Sequence, residues 1–188
     1  MEETTNFAVT GPPKSGKTTA VERVVRRLSE RGFEASGVVS PEIRREDGEK
    51  RVGFGIVDVA TRDSRTMAHV GFDDGPQVGK YTVDTSAVEE VCATALDADR
   101  AEDDGGADYF VVDEVAPMQT ATEVFVTRVL QLLESEVPVV LAVKRSGSEL
   151  GDSIKSREDT SVFEVENRRD ETVEEIERSL VEALSPRG

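Results

Sequence analysis

Gly11-Pro-Pro-Lys-Ser-Gly-Lys-Thr18 has the spacing G-x-x-x-x-G-K-[ST] of a phosphate-binding loop. The residues Phe7-Ala-Val-Thr10 before it are typical of a short buried strand, and residues 18–30 after it carry apolar or small side chains at helical spacing. In such a loop the glycines let the backbone turn its amide groups toward phosphates, and the helix that follows points its positive end at them. The order of strand, loop and helix therefore predicts a nucleotide-binding site.

Two side chains of this loop have predicted roles in the chemistry. Lys17 is expected to reach the β- and γ-phosphates and to act as a catalytic residue, and Thr18 is expected to offer its hydroxyl to Mg²⁺. The motif does not prescribe the side chains between its two glycines, which here are Pro12, Pro13, Lys14 and Ser15. The loop thus predicts a nucleoside triphosphate bound together with Mg²⁺.

A second candidate element is the apolar strand Phe110-Val-Val-Asp113-Glu114, which ends in two acids. Asp113 fits the Walker B role of holding magnesium, mainly through its water, and Glu114 is placed to orient or deprotonate the water that attacks the γ-phosphate. An apolar run that ends in Asp-Glu is weak evidence when it stands alone, because acids often begin surface loops. Together with the phosphate-binding loop it predicts a hydrolytic site.

The rest of the chain alternates between the two periodicities of an α/β protein. Continuous apolar runs are typical of parallel strands buried on both faces, whereas the helical segments have one apolar side. We predict strands at residues 7–10, 33–40, 109–112, 137–143 and 162–165, and helices at 18–30, 83–101, 120–134 and 171–184. This pattern indicates helices on both faces of a mostly parallel sheet.

Residues 42–81 interrupt that alternation and predict a β-rich insertion. Residues 42–45 and 51–60 flank the turn Glu46-Asp-Gly-Glu49, which favours an antiparallel hairpin, and residues 65–70 indicate a further short strand. The sole histidine, His69, lies in that strand, where no partner motif surrounds it. We interpret His69 as a partly buried strand residue and not as a catalytic base.

Length and charge limit the classes of function. The 188 residues suit a single domain, and a net charge of −16 argues against a general nucleic-acid surface, which needs clustered cations. Arg outnumbers Lys by 17 to 6, and carboxylates exceed both together. Because molar salt screens the repulsion among carboxylates, a halophilic cytoplasm explains this composition. An ordinary acidic protein is the alternative. No run of 18 apolar residues or signal-like start is present, so we expect a cytoplasmic protein without a membrane span.

Nearly the whole chain resembles the small P-loop nucleoside-triphosphatases that include the cancer-related nucleoside-triphosphatase and its thermophilic and archaeal relatives. Beyond the phosphate-binding loop, the resemblance rests on the joint order of Gly37-Val-Val-Ser-Pro-Glu42, Val52-Gly-Phe54, Val78-Gly-Lys-Tyr81, Val112-Asp-Glu114, Met118, Ile154-Lys-Ser-Arg157 and Val165-Glu-Asn-Arg168. It implies a three-layer, RecA-like P-loop core that hydrolyses ATP, GTP and other nucleoside triphosphates with Mg²⁺. It also implies two nucleotide-binding segments, which comprise Gly11, Pro12, Pro13, Lys14, Ser15, Gly16, Lys17, Thr18 and Thr19, and then Phe110, Val111, Val112, Asp113, Glu114, Val115, Ala116 and Pro117.

The chain departs from the family after the Walker B acids. The family commonly has Ile-Gly-Lys-Met-Glu there, whereas Val115-Ala-Pro-Met-Gln119 lacks both the lysine and the final glutamate, which puts the turnover rate in question. Lys144, Arg145 or Arg157 are candidates to replace that lysine near the γ-phosphate, against the alternative that each is a solvated surface cation. Further candidates are Lys80 on the phosphate-acceptor side, and Asn167 and Arg168 after the final strand.

Two other functions remain open at the level of sequence. The chain fits a nucleotide, nucleoside or polynucleotide kinase whose hairpin and Lys80 region hold an acceptor hydroxyl, with hydrolysis as leakage to water. It also fits a nucleotide-switched binding module in which the insertion is the switch. Base preference, protein partners and the physiological substrate have no motif in the sequence.

Overall fold

The computed structural model describes residues 5–46, 48–101, 106–166 and 169–184. Its helices are α1 (Lys17–Glu30), α2 (Thr85–Ala95), α3 (Glu123–Leu133), α4 (Glu149–Lys155) and α5 (Arg169–Leu184), with one 3-10 turn at Ala98–Ala101. Its strands are β1 (Asn6–Thr10), β2 (Ala35–Val39), β3 (Glu42–Arg44), β4 (Arg51–Asp58), β5 (Ser64–His69), β6 (Gln77–Val78), β7 (Tyr81–Val83), β8 (Tyr109–Val115), β9 (Val139–Val143) and β10 (Thr160–Glu164).

A single sheet has the strand order β10-β1-β9-β8-β2-β4-β5-β7-β6, and β3 pairs with β4. The five strands from β10 to β2 are parallel to one another, so their carboxyl ends share one edge of the sheet. The phosphate-binding loop leaves β1 at that edge, and Asp113 and Glu114 lie at the same end of β8. Ligands of open α/β sheets bind at this edge, because the helix amino ends and the loop amides lie there.

Alternating side chains of the parallel strands form one apolar cluster on each face of the sheet. Tyr109 and Val111 of β8 pack on the face that α1 and α5 cover, whereas Phe110 and Val112 pack on the face of α2 and α3. All four are fully buried, as expected for strands covered on both sides. The predicted α/β fold with a three-layer core and a mostly parallel sheet is confirmed.

The antiparallel part of the sheet begins where β4 pairs with β2. Val39 at the carboxyl end of β2 is opposite Val57 of β4, so the amino end of β4 continues past the edge that carries the phosphate-binding loop. There β3 and β4 form the predicted hairpin, and β5 to β7 extend it. We call residues 42–83 of this antiparallel part the flap.

Several helix and strand limits differ from the sequence prediction for local reasons. The predicted helix 83–101 divides into α2 and the 3-10 turn, and α2 begins after Asp84, whose carboxylate accepts a hydrogen bond from the amide of Ala87. Sequence patterns missed the short helix α4 and the hairpin of β6 and β7, which have too few residues to show a period. None of the helices in the described ranges is long and apolar enough to cross a membrane.

Candidate active site

The conformation of the phosphate-binding loop depends on two of its glycines. Gly11 and Gly16 have φ angles of 152° and 97°, a region that residues with a Cβ rarely adopt. A Cβ on Gly11 would lie 2.3 Å from the carbonyl oxygen of Val165, which follows β10. The loop is therefore packed tightly against the chain beyond the last strand, and glycine is required at this position for both space and conformation.

The start of α1 presents free amide groups. Gly16 caps the helix without a side chain, and the first helical hydrogen bond runs from the amide of Ala20 to the carbonyl of Gly16. The N–H groups of the first turn thus have no partner within the helix, which is the general condition for an anion site at a helix amino end. The Lys17 ammonium group lies across the loop and donates to the carbonyls of Gly11 at 3.3 Å and Pro12 at 3.4 Å.

The two predicted metal-side residues meet at the edge of the sheet. The Thr18 hydroxyl donates to Oδ1 of Asp113 at 3.2 Å, although the two residues are 95 positions apart. Asp113 is only 3% exposed, and burial raises the pKa of its carboxyl to about 7. The hydrogen bond from Thr18 lowers this pKa, whereas the nearby carboxylates of Glu114 and Glu22 raise it further.

This pair fits a magnesium ion by the chemistry of its donors. Mg²⁺ prefers oxygen ligands, and in nucleotide sites it is bound by one or two protein oxygens, the substrate phosphates and water. The Thr18 hydroxyl and the Asp113 carboxylate, which already touch, would supply the two protein oxygens. A bound cation would also relieve the unfavourable burial of the Asp113 charge. The described residues contain no group of three or more His, Cys, Asp or Glu side chains suited to a metal held by protein alone.

Glu114 follows Asp113 at the end of β8, where the pairing with β9 shifts by one residue. The peptide bond between the two acids is cis. Val115 is again fully buried, while Glu114 is half-buried and its carboxylate has no hydrogen bond or ion pair within the described residues. Its carboxylate is therefore available to a water molecule at the same edge as Lys17 and Thr18.

Comparisons with known proteins show which family this chain resembles. A sequence model of the NTPase family matches residues 6–177. The nucleoside-triphosphatase THEP1 of Methanosarcina acetivorans is 36% identical over 180 residues, which are 95% of this chain and 98% of that protein. The corresponding protein of Methanothermobacter thermautotrophicus is 34% identical over 165 residues, covering 88% of this chain and 89% of the relative.

Two solved structures have the same fold. The crystal structure of THEP1 from Aquifex aeolicus matches with a TM-score of 0.77 and 25% identity, over 91% of this chain and 96% of that one. The solution structure of a human cancer-related nucleoside triphosphatase matches with a TM-score of 0.75 and 26% identity, over 91% of this chain and 94% of that one.

The chain belongs to the NTPase family. It is a nucleoside-triphosphate hydrolase, as the family resemblance implied. In this NTPase the side chains of Phe110, Val111 and Val112 are fully buried, so they support β8 from within the core and present no side-chain surface to a ligand. Of this segment, Asp113 and Glu114 lie at the edge of the sheet that carries the phosphate-binding loop.

Two of the candidate cations lie at the active-site edge of the NTPase. Lys144 and Arg145 directly follow β9, and the Lys155 ammonium group donates to both of their backbone carbonyls, at 3.1 Å and 2.6 Å. The Arg145 side chain pairs with Glu164 at the carboxyl end of β10, at 3.0 Å. The side chain of Arg145 is thus directed toward β10, away from the Walker B strand.

Two other candidates have partners elsewhere, one at the opposite edge of the sheet and one within the flap. Arg157 lies before β10, at the opposite end of the strands, where it pairs with Asp159 at 2.7 Å and donates to the carbonyl of Leu133 at 3.1 Å. Lys80 lies in the flap and donates to the carbonyl of Arg51 at 3.2 Å. Asn167 and Arg168 lie outside the described residues.

Two residues of the NTPase site were missed by the sequence patterns. The Gln119 amide is 2% exposed and donates to the Ser40 hydroxyl at 2.8 Å, which joins the loop after the Walker B acids to the end of β2. Arg169, the first residue of α5, donates to the carbonyl of Ser15 in the phosphate-binding loop at 3.2 Å. Neither contact has a sequence signal, because each joins segments that are far apart along the chain.

Proposed function

We propose that this NTPase hydrolyses ATP, GTP and other nucleoside triphosphates with Mg²⁺ held between Thr18 and Asp113. The observation that carries the proposal is the 3.2 Å contact between the Thr18 hydroxyl and the buried Asp113 carboxylate, directly beside the phosphate-binding loop. When bound, Mg²⁺ would supply positive charge to the phosphate oxygens. Side chains of the loop and of β8 would bind the phosphates and activate the water.

Each of these side chains has a separate task in the proposal. The free amides at the start of α1 and the Lys17 ammonium group bind the phosphates, and Lys17 exchanges its two long hydrogen bonds to loop carbonyls for phosphate oxygens. Glu114 holds the attacking water and accepts its proton. Lys144 remains a candidate for stabilising charge on the γ-phosphate, since it is placed at the correct edge.

The proposal is tested by steady-state release of phosphate from ATP, GTP, CTP and UTP, each measured over a magnesium titration. We expect turnover of all four with loss of activity in a chelator, because the groups assigned so far would act on phosphates and metal and on no base edge. Activity that persists without a divalent cation would contradict the metal assignment.

The same assay separates hydrolysis from phosphate transfer. With a panel of hydroxyl-bearing acceptors such as nucleosides, nucleoside monophosphates and oligonucleotides, we expect phosphate release to equal nucleotide consumed. Label recovered on an acceptor would instead favour the kinase alternative, in which the flap holds the acceptor.

A further inference from the structure

The guanidinium group of Arg169 lies against the phosphate-binding loop. A Cβ placed on Gly16 would be 2.4 Å from Nη2, 2.5 Å from Nε and 2.6 Å from Cζ of this arginine. Three neighbouring atoms of a planar group can be almost equally far from one point at this range only if the point lies above the plane. Gly16 therefore lies off the guanidinium plane, next to its Nε and Nη2 atoms, and the missing Cβ at Gly16 leaves room for the group in this position.

Contacts between helices hold Arg169 in this position. It is the first residue of α5, and the next residue, Asp170, forms an ion pair with Arg23 of α1. About two turns further along, Glu177 pairs with Arg27 at 2.8 Å. Because α1 starts in the phosphate-binding loop, these pairs fix the start of α5 relative to the loop. The guanidinium group itself is exposed, and of the described residues only Ser15 accepts a hydrogen bond from it.

The topology of the sheet tells which end of a nucleotide would approach Arg169. Asp113 belongs to β8, which lies on one side of β1 with β9 between them, while β10 and the start of α5 lie on the other side of β1. The metal and γ-phosphate end of the ligand is directed toward Asp113. The nucleoside end must then leave the loop on the β10 side, where the open face of Arg169 is located.

We propose that Arg169 forms one wall of the nucleoside site, with its guanidinium group sandwiched between Gly16 and the base. The inference rests on the proposed function, since it needs the triphosphate to lie in the loop with its γ-phosphate near Asp113. A guanidinium plane stacks on any aromatic ring through cation–π attraction and dispersion, and every nucleobase has such a ring face. Arg169 thereby contributes affinity for the nucleoside without selecting a particular base.

The test compares a ligand that has a base with one that lacks it. Calorimetric binding of the β,γ-imido analogue of ATP and of inorganic tripolyphosphate, each with Mg²⁺, is measured for the unmodified protein and for Arg169→Ala, Arg169→Lys and Arg178→Ala. We expect Arg169→Ala to weaken binding of the ATP analogue by roughly 5- to 30-fold and to leave binding of tripolyphosphate within about twofold. The imido analogue of GTP should lose the same factor.

The variants separate stacking from charge and from folding. Arg169→Lys keeps the charge without the plane, so it should lose about as much affinity for the ATP analogue as Arg169→Ala. Arg178→Ala removes the same charge from an exposed position of the same helix and should bind both ligands normally. Equal weakening for both ligands in Arg169→Ala would show a phosphate contact and overturn the inference, and so would unchanged binding of both.

Failure of the proposed function has a different signature. If Mg²⁺-dependent triphosphate binding in the loop were wrong, the unmodified protein would bind neither ligand, or Lys17→Ala would bind both as well as the unmodified protein. If binding of the ATP analogue depends on Lys17 but not on Arg169, only the proposed role of Arg169 in the nucleoside site is rejected.

Discussion

At the scale of single residues, the site depends on two adjacent acids that have different surroundings. Asp113 is almost fully buried and touches Thr18, whereas Glu114 is half-buried and has no partner within the described ranges. We therefore propose the buried acid for the cation and the other acid for the water. Substitutions that keep size and remove charge test this division directly.

We expect Glu114→Gln to lower single-turnover hydrolysis by roughly 10²- to 10⁴-fold, the usual contribution of a general base, with little change in affinity for nucleotide or magnesium. Glu22→Gln is the matched control, because this carboxylate also raises the pKa of Asp113 but lies on α1 outside the end of β8. Its rate should remain within a few fold. Parental hydrolysis by Glu114→Gln would show that another group activates the water.

Asp113→Asn should instead change the magnesium dependence. The variant removes the buried charge that would face the cation. The magnesium concentration needed for half-maximal turnover should therefore rise by roughly tenfold or more. The measurement is a magnesium titration of hydrolysis at saturating nucleotide. A titration that coincides with that of the unmodified protein would exclude Asp113 as a metal-side residue.

Lys17→Ala is expected to abolish most triphosphate affinity or turnover while the fold is retained. Among the described residues, the Lys17 ammonium group donates only to two loop carbonyls, both at long distances, so its loss removes little native structure. Calorimetry and circular dichroism provide the two readings. Lys50→Ala, an exposed lysine in the turn of the flap, is the control for removal of one positive charge. Unchanged affinity together with unchanged turnover in Lys17→Ala would refute its phosphate role.

At the scale of elements, Arg157 ties three segments together at the edge opposite the active site. It pairs with Asp159 before β10, reaches Glu134 at 2.6 Å, and donates to the carbonyl of Leu133 at the end of α3. These contacts satisfy a carbonyl that α3 leaves unpaired at its last turn. They explain Arg157 as a structural residue, although the sequence made it a candidate to replace the missing family lysine near the γ-phosphate.

Arg157→Ala should therefore destabilise the fold by roughly 1–3 kcal/mol at neutral pH and leave turnover per folded molecule unchanged. The hydrogen-bonded Arg157 guanidinium holds the pKa of Asp159 below its usual value. A lowered folded pKa gives stability that is present above the unfolded pKa of about 4 and is lost as pH falls through the folded value. The deficit of the variant should shrink below about pH 4.

Urea unfolding from pH 7 to pH 3, with phosphate release measured at pH 7, checks both parts. Arg26→Ala is the control, since Arg26 is a largely exposed residue 3.9 Å from Glu30 and should cost less than about 0.5 kcal/mol. A large loss of turnover in folded Arg157→Ala would return this residue to the list of functional groups.

At the scale of the whole molecule, a net charge of −16 on 188 residues implies repulsion among surface carboxylates. Salt screens that repulsion, because the Debye length falls to about 3 Å at 1 M. We expect the thermal midpoint to rise from dilute buffer to multimolar KCl, by roughly 2–4 °C for each kcal/mol of repulsion removed. Calorimetric scans in KCl, with an uncharged osmolyte as the control, measure it. A flat or falling midpoint would contradict the halophilic interpretation.

The sequence by itself determined the class of the fold and the chemical core of the site. The loop motif, the apolar strands and the two acids after β8 are local patterns, and local patterns follow directly from backbone geometry and side-chain periodicity. They are enough to predict that Gly11 to Thr18, Asp113 and Glu114 lie at one edge of a parallel sheet. The flap hairpin followed from its turn residues in the same way.

Only the tertiary structure decided which of the scattered cations belong to that edge. Lys144 and Arg157 have similar sequence contexts near strands, but one lies after the carboxyl end of its strand and the other before the amino end of the next. Arg169 reaches Ser15 across 154 positions because α5 folds back on α1. Contacts of this kind depend on how elements pack in space, and neither composition nor periodicity along the chain carries that information.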